Sequence, residues 1–163
     1  MKPSDFTAFY QKNVQRVFRY VLFRVSCNQE VAEDLTQDIF LKAYKAFGSY
    51  DAARSGSSWI YTIAKNTLID WYKKQHPTED IANYEDALSF SVNAWELHSA
   101  NEDSKALLGL IASLPDDDAA LVRMRYLEGW DYAGLAPVLQ KTENALRAQA
   151  SRALKRLRRQ IRL

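Results

Sequence analysis

The sequence predicts an all-α fold, arranged as two small helical domains joined by an acidic linker. Three observations lead there. Apolar residues recur at three- and four-residue spacing almost throughout, the period of a helix that buries one stripe. Only 5 Gly and 4 Pro occur in 163 residues, and strand-type alternation is scarce. The overall charge of +2 is unevenly divided: residues 1–76 carry net +4, residues 77–118 net −9, and residues 141–163 net +7. Two basic blocks flanking an acidic middle suggest two contact surfaces for a polyanion.

The first helix is expected from about Ser4, a candidate N-cap, through Phe6, Phe9, Tyr10, Val14, Val17, Phe18, Val21 and Val25. A second starts near Asn28, runs through "EVAEDLTQDIFLKAYKAF" and ends at Gly48. "SYDAARSGSS" carries the punctuation of a loop, and a third helix follows it, capped by Ser57 or Ser58. After Pro77 the chain becomes acidic and loses its apolar stripe. This stretch reads as a linker with one short helix, its rings Tyr84, Phe90 and Trp95 docking elsewhere. Helices resume near Lys105. One is expected from Asp116 to Leu127, then a turn at "EGWDY", a short helix "YAGLAPVLQ", a break at Lys141-Thr142, and a long basic helix to the end. Short helix, turn and basic helix outline a helix-turn-helix. The expected division is 1–76, 77–104 and 105–163.

Composition narrows the classes of activity. No run approaches about 18 apolar residues, so no membrane insertion is expected. The first residues lack the apolar core of a signal peptide, and the single Cys27 cannot form an internal disulfide. Both fit the cytoplasm, with Cys27 read as a small buried hydrophobe. His76 and His98 stand alone, without a Cys cluster, so no metal site is expected. No phosphate loop or nucleophile constellation is present, so neither a cofactor nor catalysis is expected.

The third helix is unusual. At 100° per residue, Ile60, Ile63, Ala64, Thr67, Leu68 and Trp71 form one stripe. Trp59, Asn66 and Lys73 share one flank, and Tyr61, Lys65 and Tyr72 the other. Rings stack on unpaired bases while cations hold phosphates, a use for a helix that carries both beside its core stripe.

Those segments carry a family resemblance. "AEDLTQDIFLKAYKAFGSYD" followed by "SSWIYTIAKNTLIDWYKK" resembles region two of the sigma factors of bacterial RNA polymerase, in their extracytoplasmic-function type within the sigma-70 family. "LIASLPDDDAALVRMRYLEGWDYAGLA" followed by "ALRAQASRALKRLRRQI" resembles region four. The resemblance implies a promoter-specificity subunit that binds core polymerase at the β′ clamp helices and the β flap. It also implies binding of promoter DNA, as duplex and as melted strand, and control by an anti-sigma factor. Asp34, Leu35, Gln37 and Asp38 match the polymerase-docking segment. Tyr50 and Asn66 match a ring and an amide that capture a base flipped from the minus-ten element. Trp59 and Tyr61 match an aromatic wall beside the strand, and Arg54, Lys65, Lys73 and Lys74 would hold its phosphates. At the minus-thirty-five element, the last helix would present Asn144, Arg147, Ala148, Ser151 and Arg152. Lys141 and Lys155 would hold the backbone, with Arg156, Arg158, Arg159 and Arg162 beyond. Leu146, Ala150 and Leu154 would face inward.

The second domain departs from the family pattern. "GLAPVLQ" stands where "EIAxxLG" is usual, and Pro137 removes a helix hydrogen bond beyond the first turn, where a kink is expected. Two other readings stay open on sequence: a stand-alone helix-turn-helix regulator, which leaves the first domain unused, and a degenerate sigma-like adaptor that binds only protein.

Overall fold

The computed structural model describes residues 3–78 and 102–161. The linker rings Tyr84, Phe90 and Trp95, together with His98 and Arg162, lie outside the described residues. Every regular element described is helical, and the helices form two compact units. None is long and apolar enough to cross a membrane.

The first unit packs α1 (Pro3–Leu22), α2 (Gln29–Ala46) and α3 (Gly56–Gln75) against one another. α1 stops earlier than its apolar pattern suggests, because Ser26 and Cys27 take left-handed φ of 55° and 57°. The Cys27 N–H then returns to the Leu22 carbonyl at 2.9 Å, and the chain turns. Cys27 is therefore a half-buried turn residue and not part of the core, and its burial pushes the thiol pKa up. α2 starts where expected, and Asn28 caps it, its side chain accepting from the Val31 N–H at 3.2 Å. α2 ends at Ala46 and passes into a 3-10 turn over Phe47–Ser49, so Gly48 lies inside the turn.

The cap of α3 is Ser55, whose hydroxyl accepts from the Ser58 N–H at 3.3 Å; the expected caps Ser57 and Ser58 lie within the helix. The helix starts early because Gly56 is pressed against α1 and the loop. A Cβ there would meet the Phe9 ring and the Tyr50 hydroxyl at 3.1 Å. The core forms where three stripes meet: Val17 and Val21, Ala32, Ile39 and Ala43, and Ile60, Ala64 and Leu68 are all fully buried. Each of the larger aliphatics contributes about 1.5–3 kcal/mol by leaving water.

The second unit holds α4 (Glu102–Ala112), α5 (Asp116–Val122), α6 (Tyr132–Leu139) and α7 (Glu143–Ile161). The helix expected to reach Leu127 is α-helical only to Val122. It then widens into a π turn over Arg123–Glu128 and ends on Gly129, with φ 86°. The turn sets Trp130, fully buried, beside Glu128, 1% exposed; the indole N–H donates to the Glu128 carboxylate at 3.3 Å. Asp131 caps α6, accepting from the Gly134 N–H at 2.8 Å. Pro137 does not end α6, which runs on to Leu139; Gln140, with φ 56°, closes it. Thr142 caps α7 through the Ala145 N–H at 3.1 Å. α7 buries Leu146, Ala150, Ala153 and Leu157, and Leu154, half-buried, packs against the same core as expected.

Candidate nucleic-acid and polymerase interface

On α2, Asp34, Gln37 and Asp38 are exposed, one turn apart on a single face. Leu35, expected among them, is 6% exposed and belongs to the core. It can orient that face but not meet a partner. The same face continues through two residues that sequence reasoning passed over, Leu41 at 58% exposed and Tyr44 at 59%. Their signal was legible: a large apolar residue seven positions after Asp34 falls on the polar stripe. Tyr44 is held edge-on against Phe6 at 5.1 Å.

At the start of α3 the rings divide into two groups. Trp59 meets Tyr50 at 4.9 Å, Phe9 at 5.6 Å and Phe47 at 6.3 Å. Tyr61 turns to the opposite flank and packs edge-on against Tyr20 at 5.1 Å. The expected joint wall of Trp59 and Tyr61 does not form, because two residues along a helix differ by about 200° in direction. Beside Trp59 lies a cavity of about 200 Å³ lined by Arg54, Ser55, Ser58, Trp59, Thr62 and Ile63. Tyr50 stands behind this lining. Its ring stacks on Phe47 with the planes 13° apart, and its hydroxyl donates to the Arg54 carbonyl at 2.9 Å. Burial, with the Asp51 carboxylate adding to it, raises the Tyr50 pKa above the ordinary phenol value, so the phenol stays a donor. Asn66 is exposed on α3 but does not line the cavity. The pair expected to hold a flipped base is thus not brought together there. Lys73 and Lys74 are exposed near the end of α3, and Lys65 is half-buried.

On α7, Asn144, Arg147, Ala148, Ser151, Arg152 and Lys155 are all exposed, as a face turned from the core requires. Arg147 is positioned by three neighbours: the Asn144 side-chain oxygen Oδ1 at 3.3 Å, Glu143 at 3.6 Å and the ring of Tyr132 at 5.2 Å. Lys141 is exposed, but its ammonium is tied to α7. Its ammonium donates to the Gln149 side-chain oxygen at 2.9 Å, and the Gln149 amide donates to Asp118 at 2.8 Å. Asp118 also meets Arg156 at 3.6 Å. This polar chain ties the turn, α7 and the start of α5 together.

Comparison with known families accounts for both units. The model of Sigma-70 region 2 matches residues 9–78, and that of Sigma-70, region 4 matches residues 104–157. The chain belongs to the sigma-70 family. Two of its curated relatives are sigma factors of the extracytoplasmic-function type. The sigma factor BldN of Streptomyces coelicolor is 30% identical over 97% of this chain, which spans 61% of that relative's length. SigW of Bacillus subtilis is 26% identical over 98% of this chain and 88% of its own. The fold matches that of the Bartonella quintana sigma factor RpoE, solved with the anti-sigma factor NepR. There the TM-score is 0.56 at 18% identity, over 98% of each chain. The two regions together are those of a promoter-specificity subunit of RNA polymerase, and a lone helix-turn-helix would leave the sigma region-two match unexplained.

Proposed function

We propose that this sigma factor joins core RNA polymerase through the Asp34, Gln37 and Asp38 face of α2, which offers acceptors to the β′ clamp helices. Region four would rest on the β flap with α7 in the major groove of the minus-thirty-five element. There Arg147 and Arg152 present guanidiniums to base edges or phosphates. The start of α3 would hold the melted minus-ten strand, with one flipped base in the cavity against Trp59. The observation that carries this reading is the cavity, which sets an aromatic ring and an arginine side by side. Unpairing a base costs a few kcal/mol, and a ring already fixed by Tyr50 and Phe9 recovers part of that without further ordering.

In this reading Tyr50 positions the ring and the loop, and Trp59 is the stacking surface. Lys73 and Lys74 hold phosphates further along α3. Residues 1–76 and 105–163 act as the two working domains, with the acidic stretch 77–104 between them. The chain binds and positions, leaving chemistry to the polymerase, and works in the cytoplasm. An anti-sigma factor, as found with the Bartonella protein, would silence it by covering these faces.

The test is co-elution of the full chain with bacterial core polymerase on size exclusion, beside the double variant Asp34→Arg/Gln37→Ala. The wild type should co-elute and the variant should not. If neither associates, the polymerase-binding reading is wrong.

A further inference from the structure

We propose that Arg54 reads the captured base, so that the cavity selects a base presenting two adjacent hydrogen-bond acceptors on one edge. This rests on the flipped-base reading above and adds its specificity. The donors around the cavity are mostly committed. The Thr62 hydroxyl donates to the Ser58 carbonyl at 3.2 Å. Ser55 and Ser57 share one hydrogen across 3.0 Å, and Ser55 also takes the Ser58 N–H. What remains is the Ser58 hydroxyl, which can donate or accept, the single indole N–H at the edge of Trp59, and the Arg54 guanidinium, which alone offers paired donors. Among the described residues no bond or ion pair is recorded for that guanidinium.

The backbone of Arg54 is fixed from both sides. Its N–H donates to the Asp51 carbonyl at 2.9 Å, and its own carbonyl receives the Tyr50 hydroxyl at 2.9 Å. The side chain therefore starts from a tethered anchor beside a tethered ring. The cavity, about 200 Å³, is smaller than the roughly 300–1,000 Å³ of pockets for larger ligands. It suits one planar base lying on Trp59.

A guanidinium offers two parallel N–H groups that match two acceptors side by side. Guanine presents such a pair at O6 and N7, and cytosine at O2 and N3. Adenine sets its amine beside N1 and N7 and leaves N3 a lone acceptor, and thymine places an N–H between its carbonyls, so neither fills the fork. Arg54 thus favours guanine or cytosine. If it held a phosphate, it would strengthen all sequences alike.

The experiment uses holoenzyme assembled from bacterial core polymerase and the full chain. It is offered a pool of single-stranded oligonucleotides randomised across the minus-ten stretch, and the retained molecules are sequenced. Wild type should enrich guanine or cytosine at one position by about 5- to 150-fold, the discrimination of one bidentate arginine pair. Whichever of the two is enriched identifies the base. Arg54→Ala should erase that enrichment and leave the other positions unchanged. Arg54→Lys, which keeps the charge without the fork, should lower it as well. Arg54 is exposed, so both variants should keep the wild-type melting profile. A loss of retention that is uniform across sequences, with the enrichment intact, would overturn the proposal in favour of a phosphate contact. Enrichment of adenine or thymine at the position lost with Arg54 would overturn it too. If Trp59→Ala leaves both retention and preference unchanged, the flipped-base reading itself fails, and the proposal with it.

Discussion

Replacing Asp118 with alanine should loosen the recognition helix although Asp118 lies on a different element. Gln149 is 9% exposed, and its side-chain amide N–H donates to Asp118 at 2.8 Å. Without that acceptor, a nearly buried amide is left unpaired, which costs about 1–3 kcal/mol. The ion pair to Arg156 at 3.6 Å is also lost, but Arg156 is 56% exposed and such pairs contribute at most about 1 kcal/mol. The larger effect is therefore the orphaned amide, and about 2 kcal/mol in total is expected. Native-state hydrogen exchange of the α7 amides measures this in the full chain, region by region. Exchange that reports opening of the second unit should speed up about thirty-fold. The double variant Asp118→Ala/Gln149→Met removes both polar partners and should recover most of the loss, because an apolar side chain needs no acceptor. If the single variant changes exchange by less than about three-fold, or the double variant is no better, the chain from Lys141 through Gln149 to Asp118 does not hold α7.

Asp34→Arg should leave the melting temperature unchanged and abolish association with core polymerase. Leu35→Ala, one residue away and buried, should instead cost about 2–5 kcal/mol in denaturant unfolding. Tyr50→Phe keeps the ring and removes the hydrogen bond to Arg54, so about 0.5–1.5 kcal/mol should be lost, with the loop before α3 exchanging faster. The raised Tyr50 and Tyr126 pKa values carry a pH sign: each folded phenol holds its proton longer than its unfolded counterpart. The stability they contribute is fully present below the ordinary phenol pKa, about 10, and is lost as pH rises through the raised folded values. Urea unfolding across that range should show the loss, and Tyr50→Phe should flatten it. In promoter binding, Arg147→Ala should relax preference at one base position, whereas Arg158→Ala should weaken all sequences and reduce the salt slope by about one.

Much of the fold was legible because helical period and caps are local properties. Asn28 declares its cap by residue type, and the buried stripes of α2 and α3 follow from spacing alone. The misreadings are places where the backbone chose among options that residue type leaves open. Three serines could cap α3, and the approach of Gly56 to Phe9 and Tyr50 selected Ser55. The left-handed Ser26 and Cys27 ended α1 where apolar periodicity continued. The π turn over Arg123–Glu128 interrupted a helix whose sequence carries no breaker.

The same division holds for the candidate site. By itself the sequence determined an all-helical chain, the two basic blocks, the acidic face of α2 and the exposed face of α7. Each follows from residue type and period within one element, and the region-two and region-four segments were recognisable for the same reason. Tertiary structure decided which side chains share a site. It put Leu35 in the core and packed Tyr61 against Tyr20 of α1. It moved Tyr50 behind the cavity, left Arg54 at its wall and bonded Lys141 to Gln149. A cavity is made where a loop meets a helix. Its lining depends on how neighbouring elements press together, and no single element's pattern records that.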